Sequence, residues 1–223
     1  MGTIYLVRHG QASFGADNYD QLSALGLQQA QQLGRYWQER GMRFDAVYTG
    51  TLQRHVQTLA GIQDGLPDLP EATALPALNE YDSHALIRCM QAEPLGPANT
   101  PEGFKAHFRL LCDALAQWMA GVISPEGMPS WQAFSDGVRH SLEQMRQQHH
   151  AGQVLVVSSG GPIATVISSV LGTSPEVAIA LNMRIRNTAI TALSMSPKRL
   201  MLQSFNTLNH LDTPDTRGWE TFA

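Results

Sequence analysis

Residues 4–10 read Ile4-Tyr5-Leu6-Val7-Arg8-His9-Gly10. Four apolar residues in a row form a short buried strand, and its carboxyl end delivers a guanidinium, an imidazole and a glycine. Open α/β sheets bind ligands outside the carboxyl ends of their strands. Arginine at such a point suits an anion, above all a phosphate that accepts two N–H groups at once. Histidine beside it is a base or a nucleophile, and glycine lets the backbone turn close to a ligand.

Further strand signals lie at 45–49, 154–159, 188–195 and 199–206. The run Val154-Leu155-Val156-Val157 is continuously apolar, as a central strand covered on both faces must be. Between the first two strands, Ser23 is placed to cap a helix whose Leu27, Ala30, Leu33 and Trp37 recur near helical spacing before Gly41. A second helix follows Gly50, over about 51–64. A third starts at Pro162 and runs to Leu171-Gly172. Strand–helix–strand alternation implies parallel pairing through right-handed crossovers. Ser196-Pro197-Lys198 joins the last two strands as an antiparallel hairpin. Residues 81–150 show helical patterns at 101–123 and 130–149, which predicts an insert over one edge of the sheet. The expected architecture is α/β, a three-layer sandwich with a mostly parallel central sheet, an antiparallel edge strand and a helical insert. One domain is expected over 1–212, with residues 213–223 as a loose tail.

Bulk properties narrow the partners. The chain has 223 residues and a formal net charge of −4 without a long Lys/Arg cluster. Nucleic-acid and membrane-surface binding are therefore not expected. Cys89 and Cys112 supply neither a disulfide framework nor metal-ligand spacing, so no metal and no cofactor is expected. The first apolar run is broken at Arg8, far short of a signal-peptide core, and a cytoplasmic location is expected. The sequence leaves the oligomeric state open.

Four segments carry candidate chemistry. Besides Arg8-His9-Gly10, Arg54 falls in the first turn of the second helix, where free N–H groups already favour an anion. Glu80 follows the apolar pair Ala77-Leu78 and Asn79. Val157-Ser158-Ser159-Gly160-Gly161-Pro162 runs from a strand through glycines into a helix.

With these residues assembled, the chain resembles the histidine phosphatase superfamily, the phosphoglycerate-mutase-like group. The resemblance is carried by Leu6-Val7-Arg8-His9-Gly10, Leu22-Ser23-Ala24-Leu25-Gly26, Thr51-x-x-Arg54-x-x-x-Thr58, Leu78-Asn79-Glu80 and Val157-Ser158-x-Gly160-Gly161, in order over about residues 3–195. It implies that His9 accepts a phosphoryl group and that Arg8 and Arg54 clamp its oxygens. Glu80 would protonate the leaving alcohol and later activate water. Ser159 and Gly160 would complete the phosphate pocket. These parts suit phosphoryl transfer, which is mostly positioning plus charge stabilisation.

One departure stands out. The resemblance implies a second histidine before the two glycines, and Ser159 occupies that place. Serine is a shorter, neutral donor, and losing one such donor costs on the order of 10²–10³ in rate. Three outcomes stay open: a slow enzyme, another donor in the same role, or a phosphate-binding relative without turnover. His55, His84, His107 and His210 qualify by residue type, though a surface or packed histidine is the ordinary expectation for each.

A serine hydrolase built on Ser159 is the rival reading. Val157 occupies the small position that a nucleophile elbow needs, and the scheme leaves both arginines without a task. Within the resemblance, phosphoglycerate mutases would carry a basic stretch in the insert. Here residues 81–130 hold Arg88, Lys105 and Arg109 against Asp82, Glu93, Glu102, Asp113 and Glu126. That acidic balance favours a phosphatase for a small phosphomonoester over a mutase.

Overall fold

A computed structural model describes residues 1–13, 20–91 and 100–222. Glu93 lies outside these residues. The strands are β1 (Gly2–Arg8), β2 (Ala46–Thr49), β3 (Ala72–Ala74), β4 (Gln153–Ser158), β5 (Ile190–Met195) and β6 (Leu200–Thr207). They form one sheet in the order β3-β2-β4-β1-β5-β6. β3, β2, β4 and β1 are parallel, and β5 and β6 continue the sheet antiparallel. The two apolar runs singled out in the sequence, β1 and β4, are adjacent at its centre. Ile4 pairs with Val154, and Val7 with Val157.

The helices are α1 (Ala24–Glu39), α2 (Gln53–Gly65), α3 (Ser83–Met90), α4 (Pro101–Met119), α5 (Trp131–His149), α6 (Gly160–Leu171) and α7 (Pro175–Asn182). The two-residue period of the strands divides the core into two layers. Val7, Leu155 and Val157 face Ala30, Leu33 and Trp37 of α1 and Ile62 of α2. Ile4, Leu6, Val154 and Val156 face Val138, Leu142 and Met145 of α5 and Ile163 and Ile167 of α6. The sandwich thus has three layers.

Four details differ from the sequence reading. α5 lies in the α6 layer against the sheet, so of the insert only α3 and α4 stand off from it, around a small core of Leu86, Ala114, Leu115 and Trp118. The edge strand β3 is three residues long and mostly exposed, too short and polar to announce itself. α7, which is not among the helices expected from the sequence, begins Ser174-Pro175-Glu176, with proline and an acidic residue in its first turn. Residues 213–222 are docked, not loose. Thr216 is buried, and Gln29 Nε2 donates to the Trp219 carbonyl at 2.6 Å and to Thr221 Oγ1 at 2.9 Å. No helix among the described residues is long and apolar enough to cross a membrane.

Candidate active site

β1 and β4 end side by side, with Arg8 in register with Ser158 and the His9 N–H donating to the Ser158 carbonyl at 2.9 Å. Everything that follows those two strand ends is therefore held at one place. Arg8, His9 and Arg54 are all buried there. The Arg8 guanidinium donates to the Ile185 carbonyl, which anchors one of its nitrogens.

His9 has a fixed tautomer. Its Nδ1 lies 2.7 Å from the Gly10 carbonyl oxygen, which can only accept, so Nδ1 carries the hydrogen and Nε2 carries the lone pair. Burial, then the positive charges of Arg8 and Arg54 and the neighbouring His55, hold its pKa well below the ordinary imidazole value of 6.5. The ring is neutral at neutral pH. The histidine loop is braced from behind, since the His9 carbonyl accepts from Asn187 Nδ2 at 3.1 Å and the Gly10 N–H donates to Thr58 Oγ1 at 3.0 Å.

Arg54 sits in the first turn of α2. Its Nη1 donates to Asp20 Oδ1 at 2.7 Å, while Asp20 Oδ2 accepts from the Gln53 N–H at 2.8 Å. Asp20 thus serves as a tertiary cap for a helix whose own N-cap, Leu52, has no side-chain acceptor. Asn79 supports the same turn by accepting from the Thr51 and Leu52 amides. The sequence names Asn79 only as part of the Leu78-Asn79-Glu80 segment, without a role, and does not point to Asp20. Only a fold that brings residues 20, 53 and 79 together exposes their roles.

Glu80 enters from the loop before α3 and accepts from the Gly161 N–H through both carboxylate oxygens, each at 3.1 Å. Burial raises its pKa, although the Gly161 amide, Arg8 and Arg54 pull the other way. The raised pKa is the direction that a carboxyl group needs in order to hold a proton for a leaving oxygen. Gly161 is required by close approach. A Cβ there would lie 2.1 Å from Glu80 Oε1 and 2.6 Å from the Tyr81 ring. Tyr81, whose hydroxyl accepts from Asn182 Nδ2 at 2.7 Å, walls the same side.

Ser159 is fully buried at the start of α6, and Gly160 is that helix's first residue. The Ser159 hydroxyl caps no amide of α6. Its Oγ is 2.7 Å from Nε2 of His55. Of the four histidines weighed as substitutes, His55 alone reaches this cluster, with its ring centroid 5.7 Å from that of His9. His210 is buried elsewhere, against Thr188 Oγ1 at 2.9 Å. His107 turns back to the Gly103 carbonyl of its own helix, and His84 is exposed. Gln11, Ser13 and Ser23 hold the loop and α1 together: the Ser23 hydroxyl accepts from the Gly26 N–H at 3.0 Å and donates to Gln11 Oε1 at 2.8 Å. Ser13 donates to the Leu22 carbonyl.

The family model described as the histidine phosphatase superfamily (branch 1) matches residues 4–208. The chain belongs to that superfamily. Within it, 89 residues are 40% identical to a 2,3-bisphosphoglycerate-dependent phosphoglycerate mutase of Rhizobium etli (strain CIAT 652). That match spans 36% of this chain and 42% of the mutase, so it covers less than half of the relative. Among solved structures, a phosphoserine phosphatase variant from Entamoeba histolytica in complex with phosphoserine is 21% identical at a TM-score of 0.65, covering 95% of this chain and 100% of that one. The alpha-ribazole phosphatase of Shigella flexneri is 22% identical at a TM-score of 0.67, covering 92% of this chain and 96% of that one. At these identities the solved structures establish the histidine phosphatase fold. Phosphatases and mutases share it.

Proposed function

We propose that the chain hydrolyses a small phosphomonoester through a phosphohistidine on His9. The observation that carries this reading is the His9 tautomer. Its Nδ1–H is held by the Gly10 carbonyl, which leaves a bare Nε2 beside Arg8 and Arg54. In the first step, the Nε2 lone pair forms a bond to phosphorus as the ester P–O bond breaks. The leaving oxygen takes the Glu80 proton and departs as an alcohol. In the second step, water attacks phosphorus and gives a proton to the Glu80 carboxylate. The N–P bond breaks, its electron pair returns to Nε2, and phosphate leaves. Arg8 and Arg54 balance the charge of the phosphoryl oxygens in both steps, and Ser159 and Gly160 line the pocket beside them.

Hydrolysis is favoured over mutase transfer by the acidic balance of residues 81–130, which provide no basic run to hold a substrate carboxylate. Rapid quench after mixing with a labelled phosphomonoester is expected to trap label that is stable in base and labile in acid. His9→Ala abolishes it, and label retained at the wild-type level refutes the assignment. Supplied with 3-phosphoglycerate and 2,3-bisphosphoglycerate, the protein is expected to release free phosphate. Interconversion of phosphoglycerate isomers without phosphate release would establish a mutase instead.

A further inference from the structure

His55 is the buried polar group that the mechanism above leaves without a task, and its partner is Ser159, which lines the phosphate pocket. His55 lies on the second residue after the start of α2 and is fully buried. Its ring is set by the backbone opposite: a Cβ on Gly50 would stand 2.1 Å from His55 Nδ1 and 2.7 Å from Cε1, so a glycine at 50 leaves room for an imidazole at 55. Nδ1 is buried and has no partner among the described residues. The other ring nitrogen meets Ser159 Oγ at 2.7 Å, and that contact is the only one Ser159 Oγ makes there.

This arrangement fixes the protons. Burial, and then Arg54, lower the His55 pKa to about 3, so the ring is neutral near pH 7 and carries a single hydrogen. Placed on Nδ1, that hydrogen would be an orphaned buried N–H, which folded proteins rarely tolerate. Placed on Nε2, it is satisfied by the serine oxygen. His55 Nε2–H therefore donates to Ser159 Oγ. The serine lone pair facing His55 is occupied, and its own hydrogen is directed elsewhere, since a serine hydroxyl has one donor to give.

We propose that His55 is a positioning residue for Ser159, the two forming a relayed donor in which His55 Nε2–H holds the serine oxygen and Ser159 O–H donates to the phosphoryl group at His9. The 5.7 Å between the His9 and His55 rings places the relay beside the nucleophile. Ser159 sits where β4 ends next to β1, and its hydroxyl is not spent on capping α6. Two short groups from different elements do together what one longer donor would do alone. The opposite polarity, with serine donating to a basic imidazole, would need a proton on Nδ1 and an acceptor to hold it, and no such acceptor is present among the described residues. That difference separates a phosphate donor from an activated serine nucleophile.

The inference rests on the phosphatase reading for its purpose, so its test includes measurements that need no turnover. Nitrogen-15 NMR of the wild-type protein with labelled histidine is expected to show His55 protonated on Nε2 and bare on Nδ1. The reverse tautomer overturns the relay. Binding of inorganic phosphate is then measured for wild type, His55→Leu, His55→Gln, Ser159→Ala and the His55→Leu/Ser159→Ala pair, with melting curves to confirm folding. Leucine removes the donor and should weaken binding on the order of 10-fold. Glutamine keeps an N–H donor and should stay within about 3-fold of wild type. Because the two residues act as one unit, the double variant should be no worse than the poorer single variant. Unchanged binding in folded His55→Leu, equal loss in leucine and glutamine, or losses that multiply in the double variant each refute the proposal. A protein that shows the coupled phosphate binding but never labels His9 refutes the phosphatase reading and keeps the relay. One that labels His9 while His55→Leu is neutral does the reverse, and a wild type that binds no phosphate removes both.

Discussion

Gly161→Ala isolates what Glu80 does. The added methyl would stand 2.1 Å from Glu80 Oε1 and 2.6 and 2.8 Å from two atoms of the Tyr81 ring, where real Cβ contacts stay beyond 3.0 Å. Tyr81 packs against Trp118 and Phe134 and cannot give way easily. The carboxylate must therefore retreat by about 1 Å or more, which breaks its bonds to the Gly161 N–H. A displacement of that size at a catalytic group costs on the order of 10² in rate. The crowding itself costs about 1–3 kcal/mol in stability. Leaving groups then provide the discrimination. An alkoxide needs the Glu80 proton, whereas a nitrophenolate leaves with little help. Gly161→Ala should lower kcat on alkyl phosphates about 100-fold and on aryl phosphates about 10-fold or less. The backbone N–H that pulls the Glu80 pKa down is also lost, so the pKa rises further and the alkaline limb of the alkyl-phosphate profile moves up. Steady-state kinetics on both substrate classes, with a melting curve, check this. Equal losses on the two classes, or full activity on alkyl phosphates in a folded variant, refute the assignment of Glu80 as the acid.

Two further outcomes are expected. His9, His55 and His210 are buried with depressed pKa values, about 3 for the last two, so the unfolded chain binds more protons below pH 6.5. Stability is then complete above about pH 6.5 and falls on acidification towards pH 3, by about 1.4 kcal/mol per pH unit for each such histidine; denaturant melts at pH 7 and pH 5 should show the loss, His210→Gln should reduce it, and equal stability at both pH values refutes it. Because two arginines already supply positive charge at the phosphoryl site, dialysis against EDTA should leave phosphatase activity unchanged, and loss that Mg²⁺ or Zn²⁺ restores counts against the mechanism.

The central sheet was legible because β1 and β4 are buried on both faces and had to be apolar throughout. α1 was legible from its apolar spacing and Ser23 cap. β3 was not, since three largely exposed residues at an edge carry no periodicity. Arg8, His9, Arg54, Glu80 and Ser159 could be singled out because each stands at an element end. Their partners could not. Asp20 reaches Arg54 across 34 residues, and His55 reaches Ser159 across 104. One-dimensional spacing holds no record of such pairs. His55 stood out among the four histidines only as the nearest in sequence to Arg54, and its contact with Ser159 needed the fold.

The position of β1 between β4 and β5 has a consequence for biosynthesis. The strand that carries His9 is made well before its neighbours on either side, Val154 opposite Ile4 and Leu193 opposite Ile4 on the other flank. At about 5–20 residues per second, β1 waits on the order of ten seconds or more before either edge is covered. During that time an apolar strand has both edges open, the condition under which nascent chains pair wrongly. Closing such distant contacts is slow compared with local helix formation. Helices α1 and α2 can form early, but the β1 and β4 ends that gather the candidate site lie side by side only once residue 158 is made. A ribosome stalled before residue 154 holds Arg8 and His9 with nothing to arrange them.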